Sequence, residues 1–240
     1  MGVVAGWHTA TVLGAQRVTP GGRVLILDVP GWPGSLPGQH LDVRLTAEDG
    51  YQAVRSYSMA SHGPTTTIEL AVDLLPDGEV SPYLVDELTP GDQFEVKGPI
   101  GLYFVWRPEQ EEPVQLVAGG SGAVPLMAMA RAHRDAGSGA PFRMLYSVRS
   151  PDDAYYADEL SSLVDDRFTL DWVYTRRAPG GGTVGVGRVT ADLLAASTMP
   201  PSMTPTVYVC GATGFVETVA SALVAGGHDP LRIRTERYGG

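Results

Sequence analysis

Short apolar-rich segments punctuated by turn residues fill the first hundred positions of the chain, and beyond them the pattern changes. Residues 9–18, 23–29, 40–45, 53–58, 67–72 and 93–97 read as short strands, separated by turn signals such as Pro20-Gly21-Gly22 and Glu48-Asp49-Gly50. Six strands with one helical run, 81–88, predict a small six-stranded antiparallel β-barrel. Beyond the polar, proline-bounded connection around 106–113 the period changes. Residues 114–118 form a short apolar run that enters a glycine turn, and 123–134 has helical composition. Strands at 142–148, 168–174, 206–210 and 231–235 then alternate with helices at 154–164, 190–196 and 213–225. Five strands interleaved with helices predict a parallel, doubly wound sheet. The chain is therefore expected to be a β domain followed by an α/β domain, at residues 1–108 and 109–240. Gly180-Gly181-Gly182 and the proline-rich 199–205 read as mobile loops.

Composition narrows the function classes. With 27 acidic and 17 basic residues the net charge is -10, which disfavours nucleic acid and anionic membrane as partners. No apolar run is long enough to cross a bilayer and no secretory leader is visible, so the expected compartment is the cytoplasm. One cysteine, Cys210, excludes both an internal disulfide and an iron–sulfur cluster held by four thiolates of these residues. The five histidines, at positions 8, 40, 62, 133 and 228, show no metal-ligand spacing, and no metal is expected.

The densest chemistry lies in Val54-Arg55-Ser56-Tyr57-Ser58-Met59-Ala60-Ser61. In a strand Arg55 and Tyr57 share one face. A guanidinium can grip a pyrophosphate bidentately while a phenol two residues on lies against a flat heterocycle, and Ser58 is placed to hydrogen-bond a ring nitrogen. That combination suits a flavin. In the second half, the strand that runs into Gly119-Gly120-Ser121-Gly122 and on into a helix would let a backbone approach a pyrophosphate at a helix N-terminus.

Together these segments resemble the ferredoxin-NADP reductase family. Residues 55–61 resemble its RxYSxxS flavin motif, Gly78-Glu79-Val80-Ser81 its second flavin-phosphate segment, Gly98-Pro99-Ile100-Gly101 the end of its flavin domain, Gly119 to Gly122 its nucleotide loop and Cys210-Gly211 the segment facing the nicotinamide. The resemblance covers nearly the whole chain. It implies FAD on the barrel and a nicotinamide nucleotide on a Rossmann-like domain. Leu70, Ala71 and Val72 resemble the strand whose backbone lies along the flavin, whereas Asp73 stands where many relatives carry a base. Ser58, Cys210 and Glu236 match the hydride-transfer residues, and Tyr238 resembles the terminal aromatic that covers the flavin, here followed by two glycines.

Nucleotide choice is set at the adenosine ribose. Ser147 and Arg149 follow one predicted strand and Arg176-Arg177 the next, where arginines suit a 2′-phosphate, while Asp152 and Asp153 come shortly after. NADPH is thus expected over NADH. The expected activity is hydride transfer from NAD(P)H to FAD, with electrons passed to an acceptor outside the chain. That acceptor would be a separate redox partner, such as a ferredoxin or another oxidoreductase subunit, and the chain itself a monomer. The alternative is a flavin-binding electron-transfer or regulatory subunit with little turnover alone.

Overall fold

The computed structural model describes residues 6–181 and 186–238. The chain divides into two compact units between Trp106 and Arg107.

In the first unit the strands are β1 (Trp7–Thr19), β2 (Gly22–Asp28), β3 (His40–Thr46), β4 (Gln52–Ser58), β5 (Thr67–Asp73) and β6 (Gln93–Ile100). All pair antiparallel in the order β4-β3-β6-β1-β2-β5. The sheet curls into a flattened barrel without closing fully. Its two edge strands meet only past the end of β4, at a bridge between Met59 and Leu70 and a 2.9 Å bond from Ala60 N–H to the Glu69 carbonyl. Period-two alternation turns Leu25 and Leu27, Leu41 and Val43, and Ile68, Leu70 and Val72 into one shared core. Gly98 is required there, because a Cβ would stand 2.7 Å from the buried Trp32 ring. The helical run over 81–88 is a short π-helical turn, Tyr83–Glu87. Its carbonyls at Leu84 and Val85 accept from Arg23 on β2 at 3.3 Å, which satisfies groups a helix end leaves open.

In the second unit β7 (Val114–Gly119), β8 (Phe142–Val148), β9 (Phe168–Tyr174), β10 (Thr206–Ala212) and β11 (Ile233–Tyr238) form a parallel sheet in the order β11-β10-β7-β8-β9. The helices are α1 (Ala123–Asp135), α2 (Ala157–Ser162), α3 (Ala191–Ser197) and α4 (Thr213–Ala225). The central strands are buried on both faces, as their continuous apolar runs require. The chain winds outward from β7 to β9, then returns to lay β10 on the other side of β7, so the strand order reverses between β7 and β10.

Three expectations shift. The helix predicted over 154–164 shortens to α2, because Tyr155 is buried with its N–H on the Tyr146 hydroxyl at 3.0 Å and Tyr156 turns into left-handed backbone at φ 58°. The last strand begins and ends later than predicted. Pro230–Arg232 is a turn with Leu231 at the surface, and β11 carries Glu236 and Tyr238 as strand residues. Gly180 and Gly181 form a turn, whereas Gly182, Gly239 and Gly240 lie outside the described residues. Among the described residues no helix is long and apolar enough to cross a membrane.

Candidate functional site

In the first unit the site grows from the parity of β4. Ala53, Arg55 and Tyr57 project from one face. Tyr57 packs on the core, and its burial pushes the phenol up to about 12, so it stays protonated. Arg55 remains half exposed; its Nη1 donates to the Val54 carbonyl at 2.7 Å and its Nη2 pairs with Glu79 Oε2. The other oxygen of Glu79 accepts from the Tyr51 hydroxyl at 2.6 Å, and this bond, with Arg55, holds Glu79 below the usual carboxylate range. Ser58 ends β4 opposite His40 of β3. Leu70, Ala71 and Val72 are buried on the edge strand β5.

Four predicted contacts take on a different form. Ser56 falls on the opposite face of β4, where its hydroxyl donates to Asp42 at 2.6 Å, leaving only its backbone to face a ligand on the Arg55 side. Glu79 carries the charge that repels phosphate, and its observed work is to hold Arg55. Val80 turns its side chain into the core. Ser81 turns its hydroxyl back on its own loop. Its hydroxyl accepts from Leu75 N–H at 3.0 Å and donates to the Leu75 carbonyl at 3.3 Å, tying the loop that holds Gly78. A Cβ on Gly78 would meet both the Leu75 carbonyl and the Ser81 hydroxyl at 3.0 Å, so this turn admits only glycine without adjustment.

In the second unit the predicted residues converge where the strand order reverses, at the carboxyl ends of β7 and β10, the place where doubly wound sheets hold ligands. Gly119 ends β7, Gly120 and Ser121 turn, and Gly122 meets the end of β10 so closely that a Cβ would stand 2.1 Å from the Cys210 carbonyl oxygen. Gly211 and Gly119 both lie against the Phe215 ring, which a Cβ on either would strike at under 3 Å. Cys210 sits in register with Glu236 on β11. Burial pushes the Cys210 thiol well above its ordinary value and the Glu236 charge adds to the shift, so sulfur is held as neutral S–H. The Tyr238 hydroxyl donates to the Gly119 carbonyl at 2.6 Å and accepts from Gly122 N–H at 3.3 Å, bracing the glycine turn.

Beside this crevice lies a cavity of about 680 Å³ whose wall includes Ser147, Arg149, Arg176, Arg188 and the first turn of α4. Among the described residues its lining holds three arginines and no carboxylate, in a chain of net charge -10. Arg177 is drawn away by an ion pair with Asp152, and Asp153 accepts from Ser150 at 2.6 Å, so neither acid lines the cavity. Three arginines suit a dianionic group.

Sequence reasoning missed Arg188, Phe215 and Tyr51. Arg188 lies in an irregular connection with no strand end to mark it. Phe215 carried one usable signal, an aromatic residue placed just past a glycine and a helix start. Tyr51 shares the odd-numbered parity of Arg55 and Tyr57, and that period could have found it.

Residues 12–105 match an oxidoreductase FAD-binding domain and residues 116–221 an oxidoreductase NAD-binding domain. A glycine betaine monooxygenase reductase subunit of Pseudomonas aeruginosa is 28% identical over 207 residues, covering 85% of this chain and 56% of that protein. The ferredoxin–NAD(P)+ reductase component of the naphthalene 1,2-dioxygenase/salicylate 5-hydroxylase systems of a Ralstonia species is 30% identical over 203 residues, 84% of this chain and 60% of that one. The chain thus spans a little over half the length of these curated relatives. Among solved structures, the flavohem-like FAD/NAD-binding domain of nitric oxide dioxygenase from Vibrio cholerae shares the fold, with a TM-score of 0.85 at 24% identity over 98% of this chain and 100% of that one.

Proposed function

As the chain belongs to the ferredoxin-NADP reductase family, joining an FAD-binding oxidoreductase domain to an NAD-binding one, we propose that it is an NAD(P)H-dependent flavin oxidoreductase serving an external acceptor. Bound FAD would supply the chemistry, accepting a hydride from the nicotinamide and releasing its electrons onward. The residues supply binding and orientation, which suffice for hydride transfer between atoms held in contact.

In the first unit Arg55, oriented by Glu79, grips the flavin pyrophosphate, with the backbones of Ser56, Gly78, Val80 and Ser81 around it. Tyr57 lies against the ring system, Ser58 donates to a ring nitrogen, and the β5 edge at Leu70, Ala71 and Val72 runs alongside. In the second unit Gly119, Gly120, Ser121 and Gly122 admit the nucleotide, braced by Tyr238. Cys210, Gly211 and Glu236 frame the nicotinamide, and the neutral thiol offers packing and orientation in place of nucleophilic attack.

Ser147, Arg149, Arg176 and Arg188 select NADPH by receiving its 2′-phosphate. The observation that carries this reading is the carboxylate-free, arginine-lined cavity beside the glycine crevice. Among the described residues of its lining there is no acidic side chain to accept from a ribose hydroxyl, the feature that favours NADH. The same proposal has the chain act in the cytoplasm as a monomer that hands electrons to a separate protein, a ferredoxin or an oxygenase component. The test is anaerobic rapid mixing of the flavin-loaded protein with NADPH and with NADH. Fast bleaching by NADPH and slower bleaching by NADH is the expected result; bound flavin that neither nucleotide reduces would turn the assignment to an electron-transfer or regulatory subunit.

A further inference from the structure

Cys210 and Glu236 form one rung of the β10–β11 ladder, and the rung before it is also charged. In this parallel pairing Tyr208 lies opposite Arg234, two residues ahead of Cys210 and Glu236 on each strand. Val207, Val209 and Ile233 enter the core on one side of the sheet, so alternation turns Tyr208, Cys210, Arg234 and Glu236 to the other. Two residues along a strand span about 7 Å, which brings the Glu236 carboxylate within reach of the Arg234 side chain.

Arg234 is held in place. Its Nη1 donates to the Tyr208 hydroxyl at 3.1 Å, and its guanidinium carbon stands 5.4 Å from the centroid of the Tyr208 ring. Tyr208 is fully buried, and burial pushes its phenol up to about 12, so it stays neutral. Gln110 hydrogen-bonds Tyr208 in turn. Gln110 is itself fixed: its Nε2 donates to Glu112 Oε1 at 3.1 Å, and its Oε1 accepts from Arg107 N–H at 2.8 Å. On the neighbouring rung one oxygen of Glu236 is buried, and the Glu236 charge reaches the Cys210 thiol. A carboxylate partly withdrawn from water needs a cation beside it. Arg234 is the cation that the register supplies, since Arg237 turns to the opposite face, where it donates to Thr235 Oγ1 at 3.1 Å.

Resting on the reading that Glu236 frames the nicotinamide, we propose that Arg234 is a positioning residue of the hydride-transfer site, clamped by Tyr208 and holding the Glu236 carboxylate beside Cys210. Gln110 and Glu112 carry the clamp back to the segment with which the second unit begins.

The test is a double-mutant cycle on the flavin-loaded chain, read by stopped-flow bleaching with NADPH, together with crystal structures of the flavin-free variants. Arg234→Leu should slow flavin reduction about tenfold with the KM for NADPH within about twofold, because lost aim acts on the reacting geometry. Arg234→Lys, which keeps the charge, should recover most of the rate. Tyr208→Phe, which removes only the hydroxyl of the clamp, should slow reduction about threefold. In a Glu236→Gln background Arg234→Leu should slow reduction no further, since an effect passed through Glu236 has nothing left to act on. In the Arg234→Leu crystal the Glu236 carboxylate should leave Cys210 while the β10–β11 register stays; if that variant does not fold, Tyr208→Phe supplies both readouts. A full additive loss in the Glu236→Gln background, or a Glu236 side chain unmoved in the crystal, would overturn the proposal. A Glu236→Gln chain reduced at the wild-type rate would instead remove Glu236 from the site, and the positioning role with it.

Discussion

Around Arg55 the first unit presents charged and aromatic side chains, exposed and tied to one another by a shared carboxylate, whereas around Gly122 the second unit presents bare backbone packed against backbone. On the proposed assignment each site is shaped by what it would hold. A pyrophosphate needs charge brought to it on movable arms, and a close-lying ring needs the removal of every atom that would stand in its way. The difference predicts unequal tolerance. A side-chain site should lose affinity in steps, while a steric site should fail at the addition of one methyl group.

The largest effect should follow Gly122→Ala. With a Cβ 2.1 Å from the Cys210 carbonyl oxygen, β7 and β10 must part, at a cost of about 3 kcal/mol or more. Urea denaturation should show the second unit unfolding early, with flavin still bound by the first. Next comes Arg55→Ala, which should raise the dissociation constant for FAD by roughly tenfold to a hundredfold, as expected for losing charged hydrogen bonds to phosphate. Flavin content after gel filtration reads this out, and full retention would remove Arg55 from the site. Arg176→Ala should lower the ratio of NADPH to NADH kcat/KM by about tenfold, mostly through the KM for NADPH, since a surface guanidinium on a phosphate contributes on the order of 1.4 kcal/mol. An unchanged ratio would mean that the cavity does not read the 2′-phosphate.

The smallest effect concerns Glu79. Its folded pKa is depressed by Tyr51 and Arg55, so its contribution to stability is present above the ordinary carboxylate range and is lost as the pH falls through the depressed value. Glu79→Gln should flatten this acid limb slightly, because both ion-pair partners are about half exposed and such pairs contribute little. Thermal melts between neutral and acid pH would show the difference, and an acid limb unchanged by the substitution would exclude the coupling.

Runs and turn signals gave the six-stranded antiparallel unit and the five-stranded parallel one, since turn-bounded short segments mark the first and continuous apolar runs interleaved with helices mark strands buried on both faces. Motif spacing picked out Arg55, Gly119, Gly122 and Cys210. Partnership escaped the sequence. Nothing in Gly78-Glu79-Val80-Ser81 says that the hydroxyl ties a loop, or that the glutamate reaches back across 24 residues to Arg55. Arg188 joins Arg149 and Arg176 only through the path of an irregular connection. Glu236 and Tyr238 fall beyond the strand predicted at 231–235, whereas parallel pairing with Cys210 and Ala212 makes them strand.

The measurement that bears most directly on the central claim, that flavin and nucleotide are held by separately built sites, is a calorimetric titration of NADP+ into Arg55→Ala protein freed of flavin. The account predicts a dissociation constant within about threefold of that for flavin-free wild type, because every residue assigned to the nucleotide lies in the second unit. A loss of tenfold or more would show that Arg55 serves the nucleotide as well, and would contradict the division of labour drawn here.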